Sequence, residues 1–372
     1  MDRSSHLPAY AYISPEKAQL YAEDTRKGFY GLSPAEKLWK DRQPFLERTG
    51  YTLRKRYYTD WTPSWIGKNV DPIFCEDSIM LNNYNVIDAI RCRDGMLVAI
   101  KTTRGDTDEI AIAKFLSSPD LINHPSNHCA PLIDLLPDPL GSSKMLMVTP
   151  YLRPFDDPEF GVVGEVLDFV FQTLQGLQFL HQCGVAHRDC ASANIMMDGR
   201  SLYPQGHHPI RDHCSLDGVV ELVPLSRIDH PVRYYFIDFG ISTRFSENSS
   251  PLVLGKNGRD QDVPELSSDV PYDAYKVDIF VLGNVYDKEF IQKYHGLDFL
   301  QSLVGAMKQS VPGRRPTAQD TLKSLEEIQA TLSSVLLRWR LRPRSETPPE
   351  RILHDTVAAA REGIYHLKRL VT

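Results

Sequence analysis

The sequence predicts an α+β fold in which a strand-rich part precedes a mainly helical part. Residues 79–101 predict two antiparallel strands around the turn-forming Arg-Asp-Gly at 93–95, and residues 145–148 form a further buried apolar stretch. Between residues 166 and 181, apolar side chains recur at helical spacing. Helical patterns dominate the half of the chain that follows, which favours strands first and helices second.

Composition excludes several classes of protein. The net charge of −6 and the pI near 6.1 argue against a nucleic-acid-binding protein, which has a basic surface. The N-terminus lacks the apolar core of a signal peptide, and no stretch reaches the roughly 18 apolar residues of a membrane span. The six cysteines form no Cys-x-x-Cys pair and are typical of free thiols. We therefore expect a monomer in the cytoplasm or nucleus that binds no nucleic acid and spans no membrane.

Residues 1–70 are predicted to form an extension before the main domain. Ser33, Pro34 and Glu36 have the pattern of a capping box and predict a short amphipathic helix that ends near Gly50. The extended segment at 60–65 carries two tryptophans, which we expect to pack onto the domain that follows. Peptide binding by these tryptophans is the alternative.

Residues 331–372 are predicted to form a basic helical tail. They contain eight Lys or Arg residues against four Asp or Glu residues, unlike the acidic chain as a whole. Leu353, Val357, Ile364 and Leu367 fit one face of a helix. We expect this helix to pack on its own domain with its charges in water, and a membrane-surface helix is the alternative.

The residues that carry chemistry lie in two motifs. Val-Ala-His-Arg-Asp ends at Asp189 and is followed by Asn194, and Tyr-Tyr-Phe-Ile-Asp-Phe-Gly supplies Asp238 after an apolar strand. Phosphoryl transfer from ATP requires an acceptor for the substrate hydroxyl proton and oxygen ligands for magnesium. Asp189 suits the first role, and Asn194 and Asp238 suit the second.

Further motifs stand in a fixed order around these two. Val-Ala-Ile-Lys ends at Lys101, Glu109 opens a helical pattern, Val-Pro-Glu ends at Glu265, a helical pattern begins at Asp278, and Arg-Pro begins at Arg315. Together these motifs, from about residue 75 to 330, make the chain resemble the eukaryotic-type protein kinase superfamily. The loop His-Arg-Asp-Cys, the segment Asn-Ile-Met-Met-Asp and the paired tyrosines before Asp238 resemble a fungal, basidiomycete-type branch of kinase-domain proteins.

The resemblance implies a two-lobed protein-kinase-like domain over residues 71–330. Its N-lobe, 71–149, would be an antiparallel β-sheet with the helix that bears Glu109. A hinge at 150–152 would lead into a mainly α-helical C-lobe at 153–330. The resemblance also implies an ion pair between Arg315 and Glu265.

The same resemblance implies that ATP and Mg²⁺ bind between the lobes. Lys101, paired with Glu109, would orient the phosphates, Asp238 and Asn194 would hold the metal, and Asp189 would act on the acceptor hydroxyl. The adenine site and the hinge contacts would be formed by Val86, Ala99, Thr149, Pro150, Leu152 and Met196.

The chain also departs from the kinase pattern. The glycine positions of the phosphate-binding loop fall on Ile79, Leu81 and Tyr84, and Ala191 and Ala193 replace the cation that kinases place after the catalytic aspartate. An insertion at 202–231 contains His207, His208, His213 and Cys214, whose spacing matches no zinc motif, so we expect no metal there.

The sequence therefore predicts an ATP-dependent protein kinase that transfers the γ-phosphate to a protein hydroxyl, serine or threonine rather than tyrosine. The identity of the protein substrate stays open. A pseudokinase that serves as a nucleotide-binding or scaffold module is the first alternative, and a small-molecule kinase is the second.

Overall fold

The chain forms two compact units, each assembled from separate stretches of sequence. The computed structural model describes residues 7–247 and 249–371, without the side chains of 361, 362 and 364–371. The sheet unit consists of Met1–Thr107, Pro131–Leu152 and Tyr203–Pro224. The helical unit consists of Asp108–Ala130, Arg153–Leu202 and Leu225–Thr372. The largest sheet lies in the first unit and most helical residues lie in the second, so the fold is α+β, as predicted.

The sheet unit is built on one antiparallel sheet of five strands, whose order is β1 (Tyr51–Thr52), β2 (Val86–Arg91), β3 (Met96–Arg104), β5 (Lys144–Pro150) and β4 (Asp134–Pro137). The predicted hairpin is present, but its first strand begins at Val86. Residues 79–85, which the sequence pattern included, form no strand because Ile79 and Leu81 are buried outside the sheet. The elements of this unit are α1 (Pro15–Arg26), α2 (Pro34–Arg48), β1 (Tyr51–Thr52), β2 (Val86–Arg91), β3 (Met96–Arg104), β4 (Asp134–Pro137) and β5 (Lys144–Pro150).

Helix α2 begins at the predicted capping box. Ser33 Oγ accepts a hydrogen bond from Glu36 N at 3.3 Å, and Glu36 Oε2 accepts one from Ser33 N at 2.9 Å. The helix buries Trp39 and Leu46 against one face of the sheet. Because these side chains share a core with β2, β3 and β5, the region N-terminal to β2 supplies part of the hydrophobic core of the sheet unit.

The two tryptophans of the 60–65 segment pack against residues that precede and follow it, whereas the sequence predicts packing onto the following domain alone. Trp65 is buried with Val70 and Cys75, and Trp61 packs against this cluster. Asp77 fixes the segment, since it accepts hydrogen bonds from Trp61 Nε1 at 2.9 Å and from Ser64 N at 2.8 Å.

A buried ion pair joins α2 to the chain that follows it. The side chains of Glu36 and Arg56 are at most 1% exposed, and Arg56 Nε donates to Glu36 Oε1 at 2.8 Å. Tyr57 Oη and Leu81 N donate to the same oxygen at 3.3 and 3.4 Å. Burial raises the pKa of Glu36, but the hydrogen bonds and positive charge of Arg56 outweigh it, so the pKa lies below its usual value.

The helical unit is organised around a long, largely buried helix, α4 (Val163–Gln182). Its strands pair in small antiparallel groups of two or three. The elements are α3 (Asp108–Leu116), β6 (Arg153–Pro154), α4 (Val163–Gln182), β7 (Val185–Ala186), β8 (Ile195–Asp198), β9 (Arg233–Phe236), β10 (Thr243–Arg244), β11 (Leu252–Gly255), β12 (Ser267–Asp273), α5 (Ala274–Tyr286), β13 (Tyr294–His295), α6 (Gln301–Met307), α7 (Ala318–Thr331), α8 (Ser334–Arg338), β14 (Arg342–Pro343) and α9 (Pro348–Val371).

Aromatic side chains form the centre of the helical unit. Phe169 of α4 stacks on Phe155 at 4.6 Å between ring centroids and meets Tyr234 and Phe290 edge-on at 4.9 and 5.2 Å. Offset and edge-to-face geometry is the favourable arrangement for aromatic rings. This cluster fixes β9 against α4, and β9 is the strand that precedes Asp238.

The C-terminal tail is helical, as predicted, but its apolar face is not buried where the structure describes it. Leu353 and Val357 of α9 are 61% and 44% exposed, so the expectation that this face packs on the domain is wrong at these positions. Ile364 and Leu367 lie outside the described side chains. None of the helices in the described ranges is both long and apolar enough to cross a membrane.

The buried Glu36–Arg56 pair generates a stability prediction. Glu36→Gln keeps the helix cap but leaves the Arg56 charge buried without its partner, so we expect the free energy of unfolding of the sheet unit to fall by about 3–5 kcal/mol. Urea unfolding followed by tryptophan fluorescence measures this. Ser33→Ala, which removes only the cap, is the control and should cost about 1 kcal/mol. Equal losses in the two variants would contradict the role given to the ion pair.

The same pair predicts a pH dependence. A carboxyl group whose pKa is lowered by folding stabilises the folded state fully above its ordinary pKa, and this contribution disappears as the pH falls through the lowered value. The difference in unfolding free energy between wild type and Glu36→Gln should therefore be constant near neutral pH and shrink in acid. A difference that grows on acidification would contradict the assignment.

Candidate functional site

A buried carboxylate in α5 holds the loop that carries the first chemical motif. This polar loop, residues 187–194, connects β7 to the strand β8. Asp278 is fully buried and accepts hydrogen bonds from the main-chain nitrogens of His187 and Arg188 at 2.9 and 2.6 Å. His181 Nε2 approaches the same carboxylate at 2.9 Å. One side chain that is distant in sequence, Asp278, therefore holds the start of the loop through its main-chain nitrogens.

Backbone strain is concentrated in the two motifs. Within the described ranges, Arg188 and Asp238 are the non-glycine residues with positive φ, at 65° and 61°. Such a conformation costs about 1–3 kcal/mol and persists where the surrounding structure enforces it, which is common at functional sites. The strain marks the two motifs as a candidate functional site.

Asp189 and Asn194 are in direct contact within the polar loop. Asn194 Nδ2 donates to the carbonyl oxygen and to Oδ2 of Asp189, both at 2.8 Å. Because the amide nitrogen is engaged in this way, Oδ1 is the atom that Asn194 can offer to a cation.

Asp238 is brought next to the polar loop by the strand that precedes it. β9 pairs with β8, and Ile237 N donates to Asn194 O at 3.0 Å, so the residue after Ile237 lies beside Asn194. A side chain at position 240 would lie 3.2 Å from Asp238 Oδ1, which accounts for Gly240 in the motif. The helical unit thus brings the segments that carry Asp189, Asn194 and Asp238 side by side.

His187 is a neutral structural residue of this group. Its Nδ1 accepts a hydrogen bond from Asp189 N at 3.2 Å, so its Nε2 carries the proton and donates to Ile237 O at 3.0 Å. Burial is the main cause that lowers the pKa of His187. The ring links the two motifs and adds no charge to the site.

The segment that follows Asp238 is attached to the loop through Arg188. The Arg188 guanidinium donates to Ile241 O and Leu254 O, each at 3.1 Å, and to Thr243 Oγ1 at 3.3 Å. The positive charge of Arg188 therefore faces the segment that follows Asp238.

The segment ends in a buried ion pair that the sequence predicted. Arg315 Nη1 and Nη2 donate to the two oxygens of Glu265 at 2.5 and 2.8 Å, and the Arg315 side chain is fully buried. Arg315 also donates to Lys276 O and Gln309 O. The predicted pairing of Glu265 with Arg315 is confirmed.

Four of the predicted site residues share one face of the sheet in the sheet unit. Directly paired residues of antiparallel strands lie on the same face, and β3 pairs Lys101 with Val86 and Ala99 with Thr149. The opposite face is the buried one that packs on α2. Pro150 is paired with Val98 at the end of β5. Leu152 is the last residue of the stretch Pro131–Leu152 of the sheet unit.

The other two predicted residues belong to the helical unit. Glu109 is the second residue of α3 and is buried. Met196 lies in β8, where it pairs with Pro154 and Tyr235 and is half-buried.

The residues immediately before β2, 79–85, contain no glycine and therefore form no glycine-rich turn. β1 is joined to β2 by residues 53–85, and Ile79 and Leu81 are buried there. Leu81 N is held by Glu36 Oε1, whereas Tyr84 is 67% exposed. Bulky side chains therefore occupy the three positions that are glycine in the kinase phosphate-binding loop, and two of these side chains are part of the core.

The histidines of the insertion are tied into the sheet unit. His208 is buried, and its Nδ1 accepts hydrogen bonds from Ile210 N and Arg211 N at 3.1 and 3.0 Å. Tyr151 Oη donates to Pro209 O at 2.7 Å. In the part of the chain that the structure describes, no group of three or more His, Cys, Asp or Glu side chains is arranged to hold a metal ion.

Sequence reasoning missed two features of the site. The sequence pattern identifies Asp278 only as the start of a helix. A single charged residue at the start of an apolar stretch indicates that its side chain is buried and bound to polar partners. Arg259 was not singled out, yet its main-chain nitrogen donates to Asp189 Oδ1 at 2.7 Å. No feature of the sequence around Arg259 predicts this contact.

No family model matches the chain, and no curated protein matches it with significant similarity.

The anchoring role of Asp278 generates a local prediction. Asp278→Asn replaces one acceptor oxygen by an NH₂ group that faces a main-chain N–H, and a buried donor left unsatisfied costs about 1–3 kcal/mol. We expect faster amide hydrogen exchange at His187 and Arg188, measured by mass spectrometry, and a lower melting temperature. Asp269→Asn, at an exposed position, is the control. Unchanged exchange in the polar loop would contradict the anchoring role.

Proposed function

We propose that the chain is an ATP-dependent protein kinase that transfers the γ-phosphate of Mg·ATP to a serine or threonine hydroxyl of a protein substrate. The proposal rests above all on one observation. Asp189 and Asn194 lie in contact on a loop held by the buried Asp278, beside the segment that carries Asp238, and each of the two motifs contains one strained residue, Arg188 or Asp238.

In this proposal Asp189 acts on the acceptor hydroxyl. The hydroxyl oxygen bonds to the γ-phosphorus as the bond between that phosphorus and the bridging β,γ-oxygen breaks, ADP leaves, and the hydroxyl proton passes to the Asp189 carboxylate. The bond from Asn194 Nδ2 to Asp189 Oδ2 orients the carboxylate for this task.

The donor set beside Asp189 fits a magnesium ion. Asn194 offers an amide oxygen and Asp238 a carboxylate, and hard cations such as Mg²⁺ prefer oxygen ligands of this kind. When bound with ATP, the ion would neutralise charge on the β- and γ-phosphates. The hydrogen bond that Ile237 N donates to Asn194 O keeps Asn194 next to the residue that precedes Asp238.

The nucleotide roles follow the half-buried sheet face that lies opposite the one packed on α2. Lys101 is assigned to the phosphates, with Glu109 as its ion-pair partner. Val86 and Ala99, on the same face as Lys101, are assigned to the adenine, as is Met196, and Thr149 is assigned to the back of the pocket. Pro150 is assigned a carbonyl contact and Leu152 an N–H contact.

The Glu265–Arg315 pair gives independent support for the proposal. The resemblance to protein kinases implies this pair, and it joins residues fifty positions apart in sequence. A chance match to two short motifs would not predict a buried bidentate contact elsewhere in the chain.

A second candidate function is a nucleotide-binding or scaffold module without phosphotransfer. The buried Ile79 and Leu81 favour it, because bulky residues replace the glycines that allow main-chain N–H groups to approach phosphates. The contact of Arg259 N with Asp189 favours it as well, since this bond engages the carboxylate assigned to the acceptor.

The test is transfer of labelled γ-phosphate from Mg·ATP to generic protein acceptors and to the chain itself. We expect Asp189→Asn and Asp238→Ala to abolish transfer, the first without loss of nucleotide binding by calorimetry. Asp198→Asn is the matched control, because Asp198 lies in the neighbouring β8 and pairs with Arg200, and it should retain wild-type activity.

The outcomes separate the two candidates. Transfer that survives in Asp189→Asn would contradict the role assigned to Asp189. A wild-type chain that binds Mg·ATP but transfers nothing would favour the nucleotide-binding module, and a chain that binds no nucleotide would contradict the kinase assignment and leave the scaffold role.

A further inference from the structure

Phosphoryl transfer develops negative charge on the transferring group, and a cation fixed beside that group is the usual way to stabilise it. The polar loop does not supply this cation. Ala191 and Ala193 carry no charge, and the ring of His187 is neutral because of its two hydrogen bonds. The Arg188 guanidinium donates to Ile241, Thr243 and Leu254, so its charge is used on the following segment.

Arg259 lies where a cation is needed. Its main-chain nitrogen donates to Asp189 Oδ1 at 2.7 Å, and its Nε is 3.8 Å from Asp189 Oδ2. The side chain is 60% exposed, which leaves the guanidinium accessible to a ligand. Arg259 also lines a cavity of about 330 Å³ together with Ala191 and Ser192 of the polar loop.

The residue before Arg259 explains this close approach. Gly258 has a φ of +111°, and a Cβ at this position would lie 3.1 Å from Arg188 O. Glycine adopts this conformation without strain and presents no side chain to the loop. The main chain can therefore pass directly over Arg188 and Asp189 and present the next side chain beside them.

The acidic neighbours of Arg259 are bound to other groups. Asp260 accepts a hydrogen bond from Asn284 Nδ2 at 2.7 Å, and Asp262 pairs with Lys288 at 2.6 Å. Lys288 is also within 3.9 Å of Asp260. Because these carboxylates have their own partners, the charge of Arg259 is available on the Asp189 side of the cavity.

We propose that Arg259, supplied by the segment after Asp238, is a catalytic residue that stabilises the transferring phosphoryl group in place of a cation on the polar loop. The proposal rests on the proposed kinase function. A guanidinium suits the role because it stays protonated at any physiological pH and binds phosphoryl oxygens through two parallel N–H donors.

The variant Arg259→Ala removes the side chain beyond Cβ, including the guanidinium, and keeps the main-chain bond to Asp189. We expect its kcat for phosphotransfer to fall about 10²–10³-fold, the range for loss of one preorganised donor at a developing charge. Nucleotide affinity, measured by calorimetry, and the KM for ATP should stay within about twofold, because the interaction is made in the transition state.

Two further variants distinguish this role from a structural one. Arg259→Lys keeps a charge but loses the planar fork, so it should recover part of the lost kcat. Adding Ala191→Lys to Arg259→Ala places a cation on the polar loop and should raise kcat at least tenfold over the single variant. Lys256→Ala removes an equivalent exposed charge from the same segment and should match wild type.

The outcomes separate the two proposals. Wild-type or increased kcat in Arg259→Ala, with wild-type transfer intact, would overturn the role of Arg259 and leave the kinase assignment standing. Failure of Ala191→Lys to rescue a correctly melting Arg259→Ala variant would also overturn it. Absence of transfer in the wild type would contradict the kinase assignment and the role of Arg259 together.

Discussion

The arrangement of the candidate site depends on a single buried carboxylate. Asp278 accepts the main-chain N–H groups of His187 and Arg188, and without this acceptor two buried donors would have no partner. Because Arg188 is held in a left-handed conformation there, the next residue, Asp189, is directed toward Asn194. His187 then connects the loop to Ile237, which precedes Asp238. The three residues to which we assign phosphoryl transfer are thus positioned through one charge on α5.

Buried charged side chains also join distant segments elsewhere in both units. Glu36 with Arg56, Arg42 with Asp138, and Glu265 with Arg315 are buried ion pairs that join segments distant in sequence. A buried pair contributes little net stability, because desolvation offsets the attraction, but a mispaired arrangement would leave an isolated buried charge. These pairs therefore specify which segments meet, while apolar burial supplies most of the stabilisation.

Local elements could be predicted from the sequence. The hairpin, apart from the start of its first strand, the capped helix after Ser33 and the long helix α4 follow from periodicity or capping chemistry, and the pair of Glu265 with Arg315 follows from the resemblance carried by the motifs. Side-chain contacts across irregular loops could not be predicted. The path of residues 53–85, the burial of His208 and the approach of Arg259 to Asp189 depend on tertiary packing that no local pattern encodes.

The interleaving of the two units constrains how this chain can be synthesised and cut. Residues 203–224 belong to the sheet unit, where Pro209 accepts the hydrogen bond of Tyr151, although the stretch before them belongs to the helical unit. On the ribosome, the sheet unit cannot be completed until residue 224 has emerged, well after β5. A continuous fragment that ends after Leu152 would expose surface that this late stretch covers, so the sheet unit is not separable by truncation.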